Sequence, residues 1–222
     1  MSSRTGGGRP DASPRSSLWR PDAPTLARLL LGLWIFGTGE ALLVIAALGN
    51  SPWTVLAEGV SDQTGIGIGE VTIALSFVVL LLWIPLRQRP GLGTVLNAIV
   101  VGLALGVTLQ IVGEEAGGLA ARLALVAAGI ALVGAGSGLY LTSRLGPGPR
   151  DGLMTGLHAR TGRSLRLVRT GIEVGVTVAG AALGGTVGLG TLAFAVLIGP
   201  AVQVFVGLAG GLGAPAPETA GG

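Results

Sequence analysis

Two acidic residues, Glu40 and Glu173, stand in the middle of long apolar segments. An uncompensated acid at the centre of a membrane-spanning helix costs about 2.5 to 3.5 kcal/mol on insertion scales, so both should face a bundle interior or a cavity, or be protonated. Arg169 precedes Glu173 by one helical turn, and a local structural pair is the favoured interpretation of this arginine. Glu40 has no partner within its own segment. We therefore treat Glu40, Arg169 and Glu173 as candidate coupling or gating residues.

Two interruptions of the apolar pattern supply the second group of candidates. LGNSPWTVLAEGVSDQTG (48–65) returns 97 residues later as LGPGPRDGLMTGLHARTG (145–162). Proline at the first helical position after Ser51 or Gly148 predicts a short helix at each place. Exposed N–H groups at such helix starts suit an anion. The candidate substrate-binding residues are Ser51, Pro52, Trp53, Gly148, Pro149, Arg150 and Asp151. The alternative is that both segments are interfacial helices that cap the bundle.

Several kinds of chemistry find no support in the composition. The chain has no cysteine and one histidine, His158, so neither a thiolate nor a histidine-built metal site is predicted. We predict no cofactor, no metal, no catalytic residues and no enzyme. An intramembrane enzyme would need a carboxylate pair such as Glu40 and Glu173 held close together. Nucleic-acid binding is also not predicted, because the net charge is only +3 and the arginines border apolar segments, where they set topology and meet anionic lipid.

The elements that must position these residues are membrane helices. Half of the 222 residues are hydrophobic and 11% are charged, which is typical of a protein embedded in a lipid bilayer. Six apolar segments are long enough to cross it: 26–48, 66–86, 93–112, 122–143, 164–183 and 190–208.

The loops predict the sidedness of the chain. We expect tails at residues 1–24 and 210–222, the first of them disordered, and a central loop at 114–121 that carries Glu114 and Glu115. Arginines of the N-terminal tail, of 87–89 and of 144–163 fall on one face, whereas Glu58, Asp62, Glu114 and Glu115 fall on the other. Both termini should therefore be cytoplasmic, in a bacterial plasma membrane.

The interruptions belong to a longer internal repeat. Aligning 31–109 with 128–206 without a gap gives 22 identities in 79 positions, where this composition would give roughly nine by chance. Each repeat, 25–113 and 122–209, holds three spans, so the second enters the membrane from the opposite side. The predicted fold is an all-α, six-span bundle of two inverted three-span repeats, each with a broken or re-entrant helix. Shared glycines, and the Gly171 and Gly175 pair, predict close helix contacts.

Several stretches resemble a known family. They are GNSPWTVL, WIPLRQRPGLGTVLN, LGPGPRDGLMTGL, RTGIEV and GGTVGLGT, spread between Leu31 and Val206. In these the chain is similar to the YczE/YyaS/YitT-type bacterial integral membrane proteins. The resemblance implies a polytopic plasma-membrane protein with five or six spans, and it implies no particular activity, substrate or catalytic residue.

These observations favour a small permease for a polar or anionic solute. The halves would rock about a midplane site formed by the two interruptions. The runner-up is a non-transporting accessory or regulatory protein that acts through its Arg-rich cytoplasmic face. A six-span bundle is thin, so a homodimer is an open expectation.

Overall fold

The computed structural model describes residues 18–113 and 117–211, and every regular element in those two ranges is an α-helix. The helices are α1 (Ala23–Ala46), α2 (Pro52–Thr64), α3 (Ile68–Leu86), α4 (Leu92–Val112), α5 (Leu119–Thr142), α6 (Pro149–Thr161), α7 (Leu165–Ala182) and α8 (Leu189–Gly211). The expectations for tail residues 1–17 and 212–222 and for Glu114 and Glu115 lie outside the described residues. The predicted N-terminal tail is too long, because α1 already begins at Ala23.

Five helices, α1, α3, α4, α5 and α8, are long and apolar enough to cross a membrane. The segment predicted as a further span forms α7, an 18-residue helix that carries Arg166, Arg169 and Glu173 and is not one of these five. The chain is therefore an all-helical protein with several apolar helices of spanning length, as its composition predicts.

The centre of the bundle is the contact between α1 and α5. A Cβ on Gly32 would lie 2.9 Å from the carbonyl oxygen of Gly136, and one on Gly39 would lie 2.8 Å from that of Gly129. The pairs occur in opposite order along the two helices, so α1 and α5 are antiparallel. Only glycine allows backbones to approach this closely. The predicted role of these shared glycines is confirmed.

The other glycine pair makes no close contact within the described chain. Apart from the backbone of α7 itself, no described atom lies within 4 Å of a Cβ built on Gly171 or Gly175. This face of α7 therefore makes no close contact with another described helix, and the spacing of small residues alone did not identify an interface.

The two halves follow the same local chain path. Residues with left-handed backbone angles recur at a separation of 97 residues, as Ala47 and Arg144, Gly49 and Gly146, Gly65 and Gly162, and Arg87 and Gly184. Gly65 and Gly162 are the C-caps of α2 and α6, where this conformation ends a helix at no steric cost. The internal repeat of the sequence is thus also a repeat of backbone conformation.

Each interruption is held by the opposite half. The Gly190 N–H donates to the Leu48 carbonyl at 2.7 Å, and the Gly93 N–H donates to the Leu145 carbonyl at 2.9 Å. In the same crossed manner α2 packs on α7, and α6 packs on α3. The short helices α2 and α6 are therefore positioned from both halves of the chain.

Candidate functional site

A cavity of about 330 Å³ lies between the halves, where the N-terminal ends of α2 and α6 meet. Nine of the ten candidate residues line it, namely Glu40, Ser51, Pro52, Trp53, Gly148, Arg150, Asp151, Arg169 and Glu173. The tenth, Pro149, is buried beside it, and its carbonyl accepts a hydrogen bond of 3.0 Å from the Trp83 indole. The structure thus brings together residues that are up to 133 positions apart in the chain.

Glu40 neutralises the start of α2. Its Oε2 accepts hydrogen bonds from the Ser51 hydroxyl at 2.6 Å and from the Thr54 hydroxyl at 2.7 Å, and the residue is only 1% exposed. Ser51 is the N-cap and Pro52 the first helical residue, as predicted, but the Ser51 side chain does not cap the helix. The Ser51 hydroxyl donates to the Glu40 carboxylate instead, because an unpaired buried carboxylate costs more free energy than an uncapped amide.

The other oxygen of Glu40 has a different environment. Oε1 is buried and has no hydrogen-bond partner among the described residues. The two oxygens of the carboxyl group therefore differ, since hydroxyls engage one and no described residue donates to the other.

Trp53 and Arg150 occupy matching positions in the two halves and contact each other. The guanidinium carbon of Arg150 lies 5.2 Å from the centroid of the Trp53 ring, a cation–π distance. Within residues 18–113 and 117–211, the Arg150 side chain makes no hydrogen bond and no ion pair. Its N–H donors are therefore uncommitted and lie at the cavity wall.

The start of α6 carries its own polar groups. Asp151 Oδ2 accepts a hydrogen bond of 2.5 Å from the Tyr140 hydroxyl. Asn97 lies beside the N-cap, since a Cβ on Gly148 would be 3.3 Å from its Nδ2. Ser137 is 5% exposed and also lines the cavity. Neither Asn97 nor Ser137 has a side-chain hydrogen bond to the part of the chain that the structure describes.

Arg169 and Glu173 pair locally, as their spacing predicts. Arg169 Nε lies 2.9 Å from Glu173 Oε1, and the two side chains are 52% and 31% exposed. They line the cavity on the α7 side, opposite Gly199 and Gln203 of α8. No group of three or more His, Cys, Asp or Glu side chains that could hold a metal occurs in the described ranges.

Sequence reasoning did not assign two polar residues of this region, Thr54 and Ser137, to the site. One signal was available, because Ser137 aligns with Glu40 in the repeat, and Thr54 aligns with Asp151. Glu58 was also missed as an anchor. It accepts from Asn50 Nδ2 at 2.8 Å and from the Thr186 N–H at 2.6 Å, which ties α2 to the loop before α8.

Comparison with known proteins gives a family but no activity. A model of a family of unknown function, DUF6198, matches residues 24–207. An uncharacterized protein of Haemophilus influenzae is 45% identical over 193 residues, which cover 87% of this chain and 88% of that protein. The uncharacterized membrane protein YczE of Bacillus subtilis is 30% identical over 173 residues, which cover 76% and 79% of the two chains. The uncharacterized protein YyaS of the same organism is 26% identical over 179 residues, or 79% and 89% of the two. No solved structure matches the chain.

Proposed function

The chain belongs to the DUF6198 family, and from that premise we propose that it is a small membrane transporter that moves a polar or anionic solute by alternating access. The observation that carries this proposal is the cavity between the halves. Two helix starts meet there, and one of them brings an arginine whose donors are uncommitted. Broken helices at matching positions of repeated halves are typical of transporter sites.

The proposed architecture is a pair of inverted repeats with six crossings. The antiparallel contact of α1 with α5 supports it, because α1 and α5 are the first helices of the two repeats and would enter the membrane from opposite sides. In this proposal α7 is the sixth crossing. Its charged residues Arg169 and Glu173 face the cavity, where charge inside a membrane is tolerated. Helices α2 and α6 are re-entrant, and protein covers their N-terminal ends.

A difference between the halves supports alternating access. Helix α3 packs closely on α4, where a Cβ on Gly102 would lie 2.6 Å from the Gly69 carbonyl. Within the described residues the matching helices α7 and α8 have no such contact, and no atom outside the α8 backbone lies within 4 Å of a Cβ built on Gly199, the residue that matches Gly102. The cavity extends into this gap between α7 and α8. If the gap between α7 and α8 closed while α3 and α4 separated, the same site would open to the opposite side of the membrane.

Glu40 is the coupling residue in this scheme. Protonation of its carboxyl would weaken acceptance from Ser51 and Thr54 and loosen the start of α2, so the proton and the movement of the first half would be linked. No covalent step is part of the proposal, and the protein acts as a transporter and not as an enzyme.

The test uses the absence of cysteine from the natural sequence. Single cysteines replace Asn97 and Ser137, which line the cavity from the first and the second half. Matched markers replace Gln63 and Ser164, which are exposed at the ends of α2 and α7, outside the cavity. Each variant is reconstituted into vesicles and labelled with a membrane-impermeant thiol reagent from either side.

We expect Asn97→Cys and Ser137→Cys to react from both sides and each marker to react from one side only. Labelling of Gln63→Cys and Ser164→Cys from opposite sides of the membrane would also agree with the proposed topology. Cavity cysteines that react from one side alone under all conditions would contradict transport. That result would favour the accessory protein acting through its Arg-rich face.

A further inference from the structure

The charges that line the cavity leave one uncommitted group. Three carboxylates are engaged: Glu40 accepts two hydroxyls, Asp151 accepts the Tyr140 hydroxyl, and Glu173 pairs with Arg169. Of the two arginines at the wall, Arg169 is held by Glu173. Arg150 contacts the Trp53 ring and interacts electrostatically with Glu40 and Asp151, but its side chain makes no hydrogen bond within the described part of the chain. A ligand therefore meets one guanidinium whose hydrogen-bond donors are unused.

Two neutral polar side chains, Ser137 and Asn97, line the same cavity as Arg150. Ser137 is at least nine-tenths buried, lines the cavity and has no hydrogen bond to the described residues. The Asn97 amide lies beside Gly148, the N-cap of the helix that carries Arg150. A planar guanidinium with hydroxyl and amide donors matches the two oxygens of a carboxylate.

The repeat provides an internal example of the same arrangement. At the start of α2 the Glu40 carboxylate accepts from the N-cap hydroxyl and from Thr54. Ser137 takes the place of Glu40 in the second half, so no side-chain carboxylate reaches the start of α6 from that position. Glu40 thus demonstrates that this backbone accommodates a carboxylate beside the start of the short helix.

The rest of the wall is apolar. Phe36, Val101 and Val133 form one part of it, and Phe194, Ile198 and Val202 form the other. A volume of about 330 Å³ lies at the small end of the range for ligand pockets, which favours a small solute. A second negative charge on the solute would find no cation and would meet Glu40 and Asp151.

We propose that the cavity selects a small monocarboxylate with an apolar body, whose carboxylate pairs with Arg150 and accepts hydrogen bonds from Ser137 and Asn97. This assignment rests on the proposed transport function, for which it names the class of solute. Trp53 positions the guanidinium by stacking, and the apolar wall holds the body of the solute.

The test compares three probes of one shape: benzoate, benzamide and benzamidinium. Their binding to the purified full-length protein in detergent is measured by equilibrium dialysis. We expect benzoate to bind saturably, benzamide at least about 10-fold more weakly, and benzamidinium more weakly still. Inorganic phosphate should not displace benzoate. Tighter or equal binding of benzamidinium, or displacement by phosphate at equal concentration, would overturn the assignment.

Arg150→Gln should weaken benzoate about 10- to 100-fold and leave benzamide unchanged, which loss of structure alone would not do. Arg166→Gln is the matched control, because it removes an exposed arginine that does not line the cavity. Ser137→Glu copies Glu40 into the second half and should abolish benzoate binding by supplying an internal carboxylate. Benzoate binding by Arg150→Gln at the natural affinity would refute the role of this residue.

The two proposals fail separately. Arg150-dependent benzoate binding with cavity cysteines that label from one side would leave the ligand class intact and remove transport. Labelling from both sides without benzoate binding would leave the transport proposal intact and overturn the monocarboxylate assignment.

Discussion

The starts of α2 and α6 share a backbone but differ in every polar group that faces the cavity. Ser51 and Gly148 have nearly the same N-cap angles, with φ of −62° and −61°, and each precedes a proline. At α2 a buried acid engages the hydroxyls of the first turn. At α6 the matching acid is replaced by Ser137, and Arg150 stands with its donors free.

This difference suggests a division of labour between the halves. At one helix start the hydroxyls of the first turn are used by Glu40, whereas at the other the Arg150 guanidinium keeps its hydrogen-bond donors available for a ligand. The same pattern recurs in the side packing of the short helices. Gly180 of α7 lies against Val55 and Leu56 of α2, but in the other half Trp83 of α3 lies against Gly152 of α6. The contact glycine is thus on the long helix α7 in one half, against the α2 backbone, and on the short helix α6 in the other half, against the Trp83 ring.

Gly152→Val should have the largest effect on stability, because it disrupts the contact of α6 with α3. A Cβ at this position would lie 2.0 Å from Trp83 Cζ2, and Trp83 cannot yield because it is buried and bonded to the Pro149 carbonyl. We expect a loss of at least about 3 kcal/mol in the free energy of unfolding, or failure to fold. The measurements are the thermal midpoint and the monodisperse fraction in detergent.

Two further variants define what that result means. Gly171→Ala adds a methyl group to a helical glycine with no atom within 4 Å and should leave the midpoint unchanged. Adding Trp83→Ala to Gly152→Val should recover part of the stability. If the thermal midpoint of Gly152→Val equals that of the natural protein, the contact of α3 with α6 is not tightly packed.

Glu40→Ala and Ser137→Ala test the two matching positions directly. Removal of Glu40 leaves the buried Ser51 and Thr54 hydroxyls without their acceptor and should cost about 2 to 3 kcal/mol. Removal of the Ser137 hydroxyl, which has no partner in the described chain, should cost less than about 0.5 kcal/mol. Reversible unfolding in mixed micelles measures both, and Glu40→Gln should retain most of the stability. Equal costs for the two alanine variants would remove the distinction between the helix starts.

Arg169→Gln should have the smallest effect. Its pair with Glu173 lies at one-turn spacing with both partners partly exposed, and such pairs contribute about 0.3 to 0.5 kcal/mol. The same unfolding assay, repeated at high salt, should show little difference between variant and natural protein. A loss above about 2 kcal/mol would mean that the α7 side of the cavity depends on this pair as α2 depends on Glu40.

Much of the fold was predictable from local patterns. The expected spans differ from the helices by only a few residues at each end, because long apolar runs bounded by Gly, Pro and Arg leave few alternatives in a membrane. The short helices begin at the predicted prolines for the same local reason. Gly171 and Gly175 show the limit, since their spacing matches that of contact glycines and yet no other described helix packs on them.

The sequence predicted the candidate residues of the site better than it predicted their contacts with one another. Glu40 stood out because charge within apolar sequence is expensive, and Arg150 stood out because it lies at a predicted helix start. Thr54 did not stand out, because it is an ordinary polar residue until the fold places it beside the Glu40 carboxylate.

The sequence by itself determined the membrane character, the repeat and the helix boundaries, since each follows from composition and spacing along the chain. Only the tertiary structure decided which charges are satisfied. Glu40 accepts hydrogen bonds from hydroxyl groups, whereas the Arg150 side chain makes none within the described residues. Both residues line one cavity although 110 positions separate them in the chain. Hydrogen bonds reach about 3 Å, so pairing depends on distances in space that no one-dimensional pattern contains.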